Sequence, residues 1–264
     1  MRIHAVIFDW AGTVIDFGSC APVFALQRAF DQMGIELTEA EARRNMGLAK
    51  RDHILAILQQ PAVAERWRAE HGKSPCREEA NAIYERFLPI QKEVVVERAT
   101  VIPGVATCVA ELRSRGIRIG STTGYYRELM EPVLPLAANQ GFDPDCVVTP
   151  DDVEQGRPAP HMILKNLEAL EVSPEACIKV GDTPADVEEG RNAGVWTVAV
   201  AATGNELGLD FDSFQMLDDA ERARRLSRAR RRFDETKPNW VLESVTELTI
   251  LIDRLEADCH YKLQ

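Results

Sequence analysis

The stretch Ile3-His4-Ala5-Val6-Ile7-Phe8-Asp9-Trp10-Ala11-Gly12-Thr13 runs an apolar segment straight into a carboxylate and then into a glycine-containing loop. In open parallel sheets, ligands bind outside the carboxyl ends of the strands, so Asp9 is aimed at the expected crevice. Taken alone, a turn or capping aspartate explains it equally well. Four more short apolar segments follow, at residues 117–122, 146–149, 177–180 and 196–200, with helical stretches between them. Near-continuous apolar strands alternating with helices predict a doubly wound α/β fold, its parallel sheet covered on both faces.

More than a hundred residues separate the first two strands, far beyond the ~10–12 of a minimal crossover, so something is inserted there. Residues 21–33 look helical and are stopped by Gly34, Thr38-Glu39-Ala40-Glu41 reads as a capping box, and Ser74-Pro75 opens a further helix. The expected organisation is a Rossmann-like catalytic core at 1–18 and 99–264, with an all-helical cap at 19–98. Ser244-Val245-Thr246-Glu247 is expected to cap a last helix that ends near Ala257.

Composition excludes several classes. No apolar run reaches the ~18–20 residues of a membrane span, and the chain opens into a strand where a signal peptide would stand, so a cytoplasmic location is expected. The six cysteines form no Cys-x-x-Cys pair, which suggests neither a zinc site nor a disulfide framework. A formal charge of -11 argues against general affinity for nucleic acid. Seven arginines crowd residues 222–232, but Asp218, Asp219 and Glu221 precede them, and a solvated helix face is the expectation.

Two later segments join Asp9 at strand ends. Ser121-Thr122-Thr123-Gly124-Tyr125 offers hydroxyls and amides, Thr123 and Gly124 among them, that could hold phosphate oxygens. Val180-Gly181-Asp182-Thr183-Pro184-Ala185-Asp186 brings two more carboxylates to the same edge. Converging like charges are costly unless a cation neutralises them, and oxygen ligands suit magnesium.

This ordered set resembles the haloacid dehalogenase superfamily. The resemblance implies that Asp9 attacks phosphorus, that Asp9, the Ala11 carbonyl and Asp182 bind Mg2+, and that Asp186 supports the metal from close by. Arg157, in Gly156-Arg157-Pro158, fills the basic position where the superfamily more often has lysine, and is expected to clamp the phosphoryl group.

Ala11 marks a departure. Typical phosphatases of the superfamily carry Asp-x-Asp, the second acid protonating the departing alkoxide, and a methyl group cannot transfer a proton. Cleaving a carbon–phosphorus bond instead leaves a carbanion, for which a lysine imine provides an electron sink. The cap offers Lys50, Lys73 and Lys92 in a chain where arginine outnumbers lysine 24 to 7.

Met46-Gly47-Leu48-Ala49-Lys50, together with Phe8 to Thr13, Ile119 to Tyr125, Thr149 to Val153, Gly156 to Pro158, Lys179 to Thr183 and Gly204 to Leu209, resembles the phosphonoacetaldehyde hydrolases. The resemblance implies that Lys50 forms a Schiff base with phosphonoacetaldehyde from a closing cap, that acetaldehyde and phosphate are released, that Met46, His53 and Tyr125 surround the substrate, and that the chain is a homodimer paired through its caps. Each of the three also has a bland role: Met46 and Tyr125 as packing, His53 as a surface histidine. Where some relatives place cysteine directly after Gly18, this chain has Ser19-Cys20, so no role passes to Cys20. The competing expectations are a phosphatase or phosphomutase acting on a small ester, with Ala11 against it, and a non-catalytic binder, against which the joint presence of Asp9, Arg157, Asp182 and Asp186 stands.

Overall fold

The computed structural model describes residues 2–46, 48 and 50–261, with side chains to residue 257. Among these, the apolar segments form strands β1 (Ala5–Phe8), β2 (Arg118–Thr122), β3 (Cys146–Val148), β4 (Cys177–Gly181) and β5 (Trp196–Val200), joined by β6 (Trp240–Leu242). All pair in parallel in the order β3-β2-β1-β4-β5-β6. The chain leaves β1 for β2 on one side and reaches β4 on the other, so the crevice of a doubly wound sheet opens at the carboxyl end of β1. β1 is buried along its whole length, which is why its sequence shows no polar alternation.

Five helices lie between β1 and the core's next helix: α1 (Ala21–Asp31), α2 (Glu39–Arg43), α3 (Lys50–Leu58), α4 (Pro61–His71) and α5 (Arg77–Glu97). They enclose a hydrophobic cluster of their own that includes Leu26, Phe30, Ile54, Ile57, Trp67 and Phe87. The core adds α6 (Val105–Ser114), α7 (Arg127–Ala138), α8 (His161–Leu170), α9 (Pro184–Asn192), α10 (Phe211–Gln215), α11 (Asp219–Arg231) and α12 (Leu248–Tyr261). The larger cluster sits under the sheet, where Phe142 meets Phe8 and Trp10 edge-on at 5.9 and 5.0 Å and so packs the β1 exit from below. Among the described residues no helix is long and apolar enough to cross a membrane.

The capping box at Thr38 is present, with Thr38 Oγ1 accepting from the Glu41 amide and Glu41 accepting from the Thr38 amide. Four expectations need correction. The helix expected from Ser74-Pro75 starts at Arg77, because Glu79 reaches back to the Cys76 amide at 2.9 Å and makes Cys76 the cap. The first cap helix stops at Asp31, short of Met33. Ser244 caps a single 3-10 turn, Val245–Glu247, and α12 then continues past Ala257 to Tyr261. The sixth strand was not expected at all: it is three residues long, follows Pro238-Asn239, and owes its place to pairing with β5 and to Trp240 packing on Trp196 at 5.6 Å.

The arginine-rich segment is α11, which buries only Leu226 and Ala229. Four of the segment's seven arginines are met by acids close at hand: Arg224 and Arg225 by Glu221 at 2.7 and 2.6 Å, Arg230 by Glu243 and Arg232, just past the helix, by Glu206, both at 3.0 Å. It is a solvated helix face. Cys20, Cys108 and Cys177 are buried, whereas Cys146 is half-buried and Cys76 is exposed; the Cys259 side chain lies outside the described residues.

Candidate active site

Asp9 leaves the end of β1 with its amide donating to the Val180 carbonyl of β4 at 2.8 Å, and Asp182 leaves the end of β4 beside it. The turn between them requires glycine. Gly12 has φ +84°, and a Cβ there would fall 2.3 Å from Asp182 Oδ2; one on Gly204 would fall 2.4 Å from the Asp182 Cβ. Two loops thus close on Asp182 at backbone distance.

Beneath the carboxylates lies a buried ionic network. Arg157 bonds Asp9 Oδ1 through Nη2 at 2.7 Å, Asp186 Oδ1 through Nη1 at 2.9 Å and Glu189 Oε2 through Nε at 2.9 Å. Lys179 reaches Asp186 Oδ1 at 3.1 Å, and both cations donate to Thr122 Oγ1 at 2.8 Å. Taking charges this far out of water carries a desolvation penalty, which their mutual pairing offsets. For Arg157, burial works against the charge, but Asp186, Asp9 and Glu189 outweigh it and raise its pKa. Asp186 is lowered in the same way: Arg157 and Lys179 overcome its desolvation.

Asp9 and Asp182 are not balanced. Burial and the neighbouring Asp186 raise Asp9, with Arg157 and Lys179 as partial counterweights. Burial, then Asp9 and Asp186, push Asp182 well above the usual carboxylate range. Its Oδ2 accepts from the Asn205 amide at 2.7 Å, while the buried Oδ1 has no hydrogen-bond partner among the described residues. Oxygens of Asp9, Asp182 and Asp186 lie within 4.8 Å of one another. Hard oxygen donors, excess negative charge and an orphaned carboxylate oxygen fit a divalent cation such as Mg2+.

The cap contributes the other half. One cavity is lined by Asp9, Ala11, Arg157 and Asp182 from the core and by Met46, Leu48 and Lys50 from the cap, with Ser19 and Pro22 at the junction. Thr123, Gly124, Tyr125 and Thr183 complete its wall. Lys50 is the first residue of α3 and is only 4% exposed; Asp9 is 5% exposed. Burial lowers the Lys50 ammonium to about 8, against the opposing pull of Asp9 and Asp182. Its Nζ donates to the Met46 thioether at 3.4 Å, an acceptor too weak to hold the proton as a carboxylate would.

Of the residues singled out in the sequence, Asp9, Ala11, Met46, Lys50, Thr123, Gly124, Tyr125, Arg157 and Asp182 meet at this cavity, and Asp186 lies directly behind it. Gly47 and Ala49 of the lysine motif lie outside the described residues. His53 does not line the cavity and is not a surface residue: fully buried, it pairs Nε2 with the Arg44 carbonyl at 2.9 Å, and burial followed by the Lys50 charge lowers it to about 3, leaving a neutral ring. Tyr125 remains a phenol, since burial and then Asp16, Asp9 and Asp182 hold its hydroxyl well above the usual value. Thr122 faces the ionic network and Ser121 Oγ the Cys146 carbonyl, so only the later part of that segment reaches the cavity.

Lys179 and Glu189 escaped the sequence reading. A signal existed for each: Lys179 is the one charge inside the apolar run of β4, and Glu189 follows Asp186 by three residues on one helix face. Asp151 and Asp152 are turn residues, Asp152 accepting from the Thr149 amide at 2.8 Å and Asp151 from the Arg127 amide at 2.6 Å.

Comparison with known proteins agrees with this geometry. Residues 3–194 match the model of the haloacid dehalogenase-like hydrolase family. A protein named phosphonoacetaldehyde hydrolase from Bacillus cereus (strain G9842) is 44% identical over 97% of both chains. Another of that name from Pseudomonas fluorescens (strain SBW25) is 42% identical over 97% of this chain and 93% of its own. The crystal structure of a phosphonoacetaldehyde hydrolase-like protein from Oleispira antarctica superposes with a TM-score of 0.94 at 41% identity, covering 96% of this chain and 92% of that one.

Proposed function

The chain belongs to the haloacid dehalogenase-like hydrolases and, within them, to the phosphonoacetaldehyde hydrolases that act on a carbon–phosphorus bond, and from that premise we propose that Lys50 and Asp9 divide the reaction between them. The observation that carries the proposal is the meeting of these two buried side chains, one from the cap and one from the core, at a single cavity.

The neutral Lys50 amine adds to the aldehyde carbon of phosphonoacetaldehyde and water leaves, giving an imine that is protonated on nitrogen. An Asp9 oxygen then attacks phosphorus. The carbon–phosphorus bond breaks, its electron pair moves into the carbon framework, and the iminium becomes an enamine while Asp9 carries the phosphoryl group. Protonation of the enamine carbon restores an imine, whose hydrolysis releases acetaldehyde and regenerates Lys50. Water cleaves the aspartyl phosphate to phosphate. Electrons are withdrawn through nitrogen while the carbon–phosphorus bond breaks, so that step needs no acid at the Ala11 position; the proton is added to the enamine carbon afterwards.

Arg157 holds Asp9 by one oxygen and is placed to meet charge building on the phosphoryl oxygens. Met46 receives the Lys50 N–H without fixing its charge, Tyr125 offers an un-ionised hydroxyl, and Thr123 and Gly124 bound the phosphoryl side. Asp9, the Ala11 carbonyl and Asp182 would hold Mg2+, Asp186 standing behind; when bound, the cation offsets the carboxylate repulsion and draws charge from the phosphoryl oxygens. The boundaries 1–18 with 99–264 for the core and 19–98 for the cap, a homodimer, a cytoplasmic location, and a place after transamination of 2-aminoethylphosphonate complete the proposal.

The test is release of acetaldehyde and phosphate in equal amounts from synthetic phosphonoacetaldehyde. Chelation with EDTA is expected to remove at least about 90% of the rate, since Asp9 and Asp182 then repel each other, and added Mg2+ is expected to restore it. Turnover of small phosphate esters with no release from the phosphonate would instead support a phosphatase.

Lys50 also sets a pH dependence. With an ammonium at about 8, roughly one amine in ten is neutral at pH 7, against roughly one in three thousand at the ordinary 10.5. Because the neutral form reacts, kcat/KM should rise about tenfold per pH unit below 8 and level off above it. A profile flat from pH 6 to 9 contradicts this assignment.

A further inference from the structure

The segment Gly204-Asn205-Glu206-Leu207-Gly208-Leu209 has no part in the chemistry above, yet it supplies the Asn205 amide that holds Asp182 Oδ2. What holds the segment is a cap residue. Arg43, the last residue of α2, has its side chain only 13% exposed although it is a surface cation on a short helix. Its Nη1 donates to the Gly18 and Ser19 carbonyls at 2.8 and 3.2 Å and to Asn205 Oδ1 at 3.3 Å; its Nη2 donates to the Gly208 carbonyl at 3.1 Å. Glu39, one turn earlier, steadies the guanidinium through Nε at 2.8 Å.

Three structural units therefore share one guanidinium. The first is the cap helix itself. The second is the turn-rich segment linking core to cap, where Asp16, Gly18 and Ser19 all have positive φ, and where Gly18 donates to the Thr203 carbonyl at 2.6 Å. The third is the turn after β5, gripped at both Asn205 and Gly208. Gly208 must be glycine, for a Cβ would lie 2.7 Å from Arg43 Nε at a φ of +71°. A lysine could serve one or two of these acceptors but could not span them with a planar fork.

We infer that Arg43 is a positioning residue that ties closure of the cap to the readiness of the Asp182 carboxylate, acting through the Asn205–Gly208 turn. The inference rests on the proposed reaction only in taking Asp182 as a magnesium ligand. With the cap docked, Arg43 fixes the turn and the Asn205 amide orients Asp182; with the cap open, the turn loses both anchors. The metal is thus held best when Lys50 is also in place, which keeps the two halves of the site in step.

The experiment is calorimetric titration of the full chain with Mg2+ alone, beside steady-state kinetics and melting curves. Arg43→Met is expected to weaken Mg2+ binding by about 10- to 100-fold, the usual cost of losing a group that orients a metal ligand, and to lower kcat. Arg43→Lys should recover part of both. Asn205→Ala keeps the backbone N–H and removes the carboxamide, both the Oδ1 acceptor for Arg43 and the Nδ2 donor to Glu206 at 3.2 Å, so it should weaken Mg2+ binding less, and add no further loss once Arg43 is gone. If Arg43→Met does not fold, Asn205→Ala decides the matter: unchanged Mg2+ affinity there overturns the inference, as does wild-type affinity in folded Arg43→Met or strict additivity in the double variant. Failure of the wild type to release acetaldehyde would sink the proposed reaction while leaving the Mg2+ comparison intact. Failure of the wild type to bind Mg2+ overturns the role of Arg43 as well.

Discussion

Lys50→Arg is expected to lower phosphonoacetaldehyde turnover by about three orders of magnitude or more, the scale of losing a covalent catalyst. The substitution keeps a positive charge near Asp9 and Asp182, so a purely electrostatic role for Lys50 would largely survive it. Imine chemistry would not, because a guanidinium does not present a neutral amine at accessible pH. Lys50 is buried and its Nζ already contacts Met46 Sδ, so the larger head group should also cost about 1–3 kcal/mol of stability through overpacking. Acetaldehyde release at saturating substrate, with melting curves run in parallel, checks both parts. Retention of more than a tenth of the wild-type rate would leave Lys50 without a covalent role.

Asp9→Asn should have an effect at least as large, about four orders of magnitude in kcat, since an amide oxygen does not displace carbon from phosphorus. Its diagnostic value lies in what it preserves. Lys50 remains in the cavity and is free to form its imine, so the variant should stall with the carbon–phosphorus bond intact. The fold should also tolerate the change: Arg157 loses Asp9 but keeps Asp186 and Glu189 at 2.9 Å each, so the cost should fall below the ~3–5 kcal/mol of stranding a buried charge. Rapid-quench analysis for a phosphorylated protein, present in the wild type and absent in the variant, is the measurement. A phosphoprotein formed by Asp9→Asn would move the nucleophile elsewhere.

Much of this site was legible because catalytic groups in a doubly wound sheet sit at strand ends, and strand ends can be read locally. Asp9 and Asp182 each follow an apolar run, and the glycines beside them mark where backbone must approach a carboxylate. Lys179 and Glu189 were not legible in that way. Whether a charge within a strand is buried depends on register and on the layer above it: Lys179 lies between Ile7 and Thr197 in a central strand, and its pairing is made by α9, packed on that face. The contact of Arg43 with Asn205 joins residues far apart in the chain and carries no local pattern. Lys50 was singled out through its motif and the scarcity of lysine in the cap, but only the packing of α3 over the crevice puts it in the cavity of Asp9. The sixth strand was missed for the same kind of reason, a short segment made a strand by its neighbour.

The most direct test of the shared cavity is borohydride reduction in the presence of phosphonoacetaldehyde, followed by peptide mapping. Hydride converts a carbon–nitrogen double bond into a stable amine, so each imine leaves a permanent two-carbon mark on its lysine. The expected result is an ethyl group on Lys50 in the wild type and a phosphonoethyl group on Lys50 in Asp9→Asn. Labelling of some other lysine, or no labelling while turnover continues, would contradict the division of the reaction between Lys50 and Asp9.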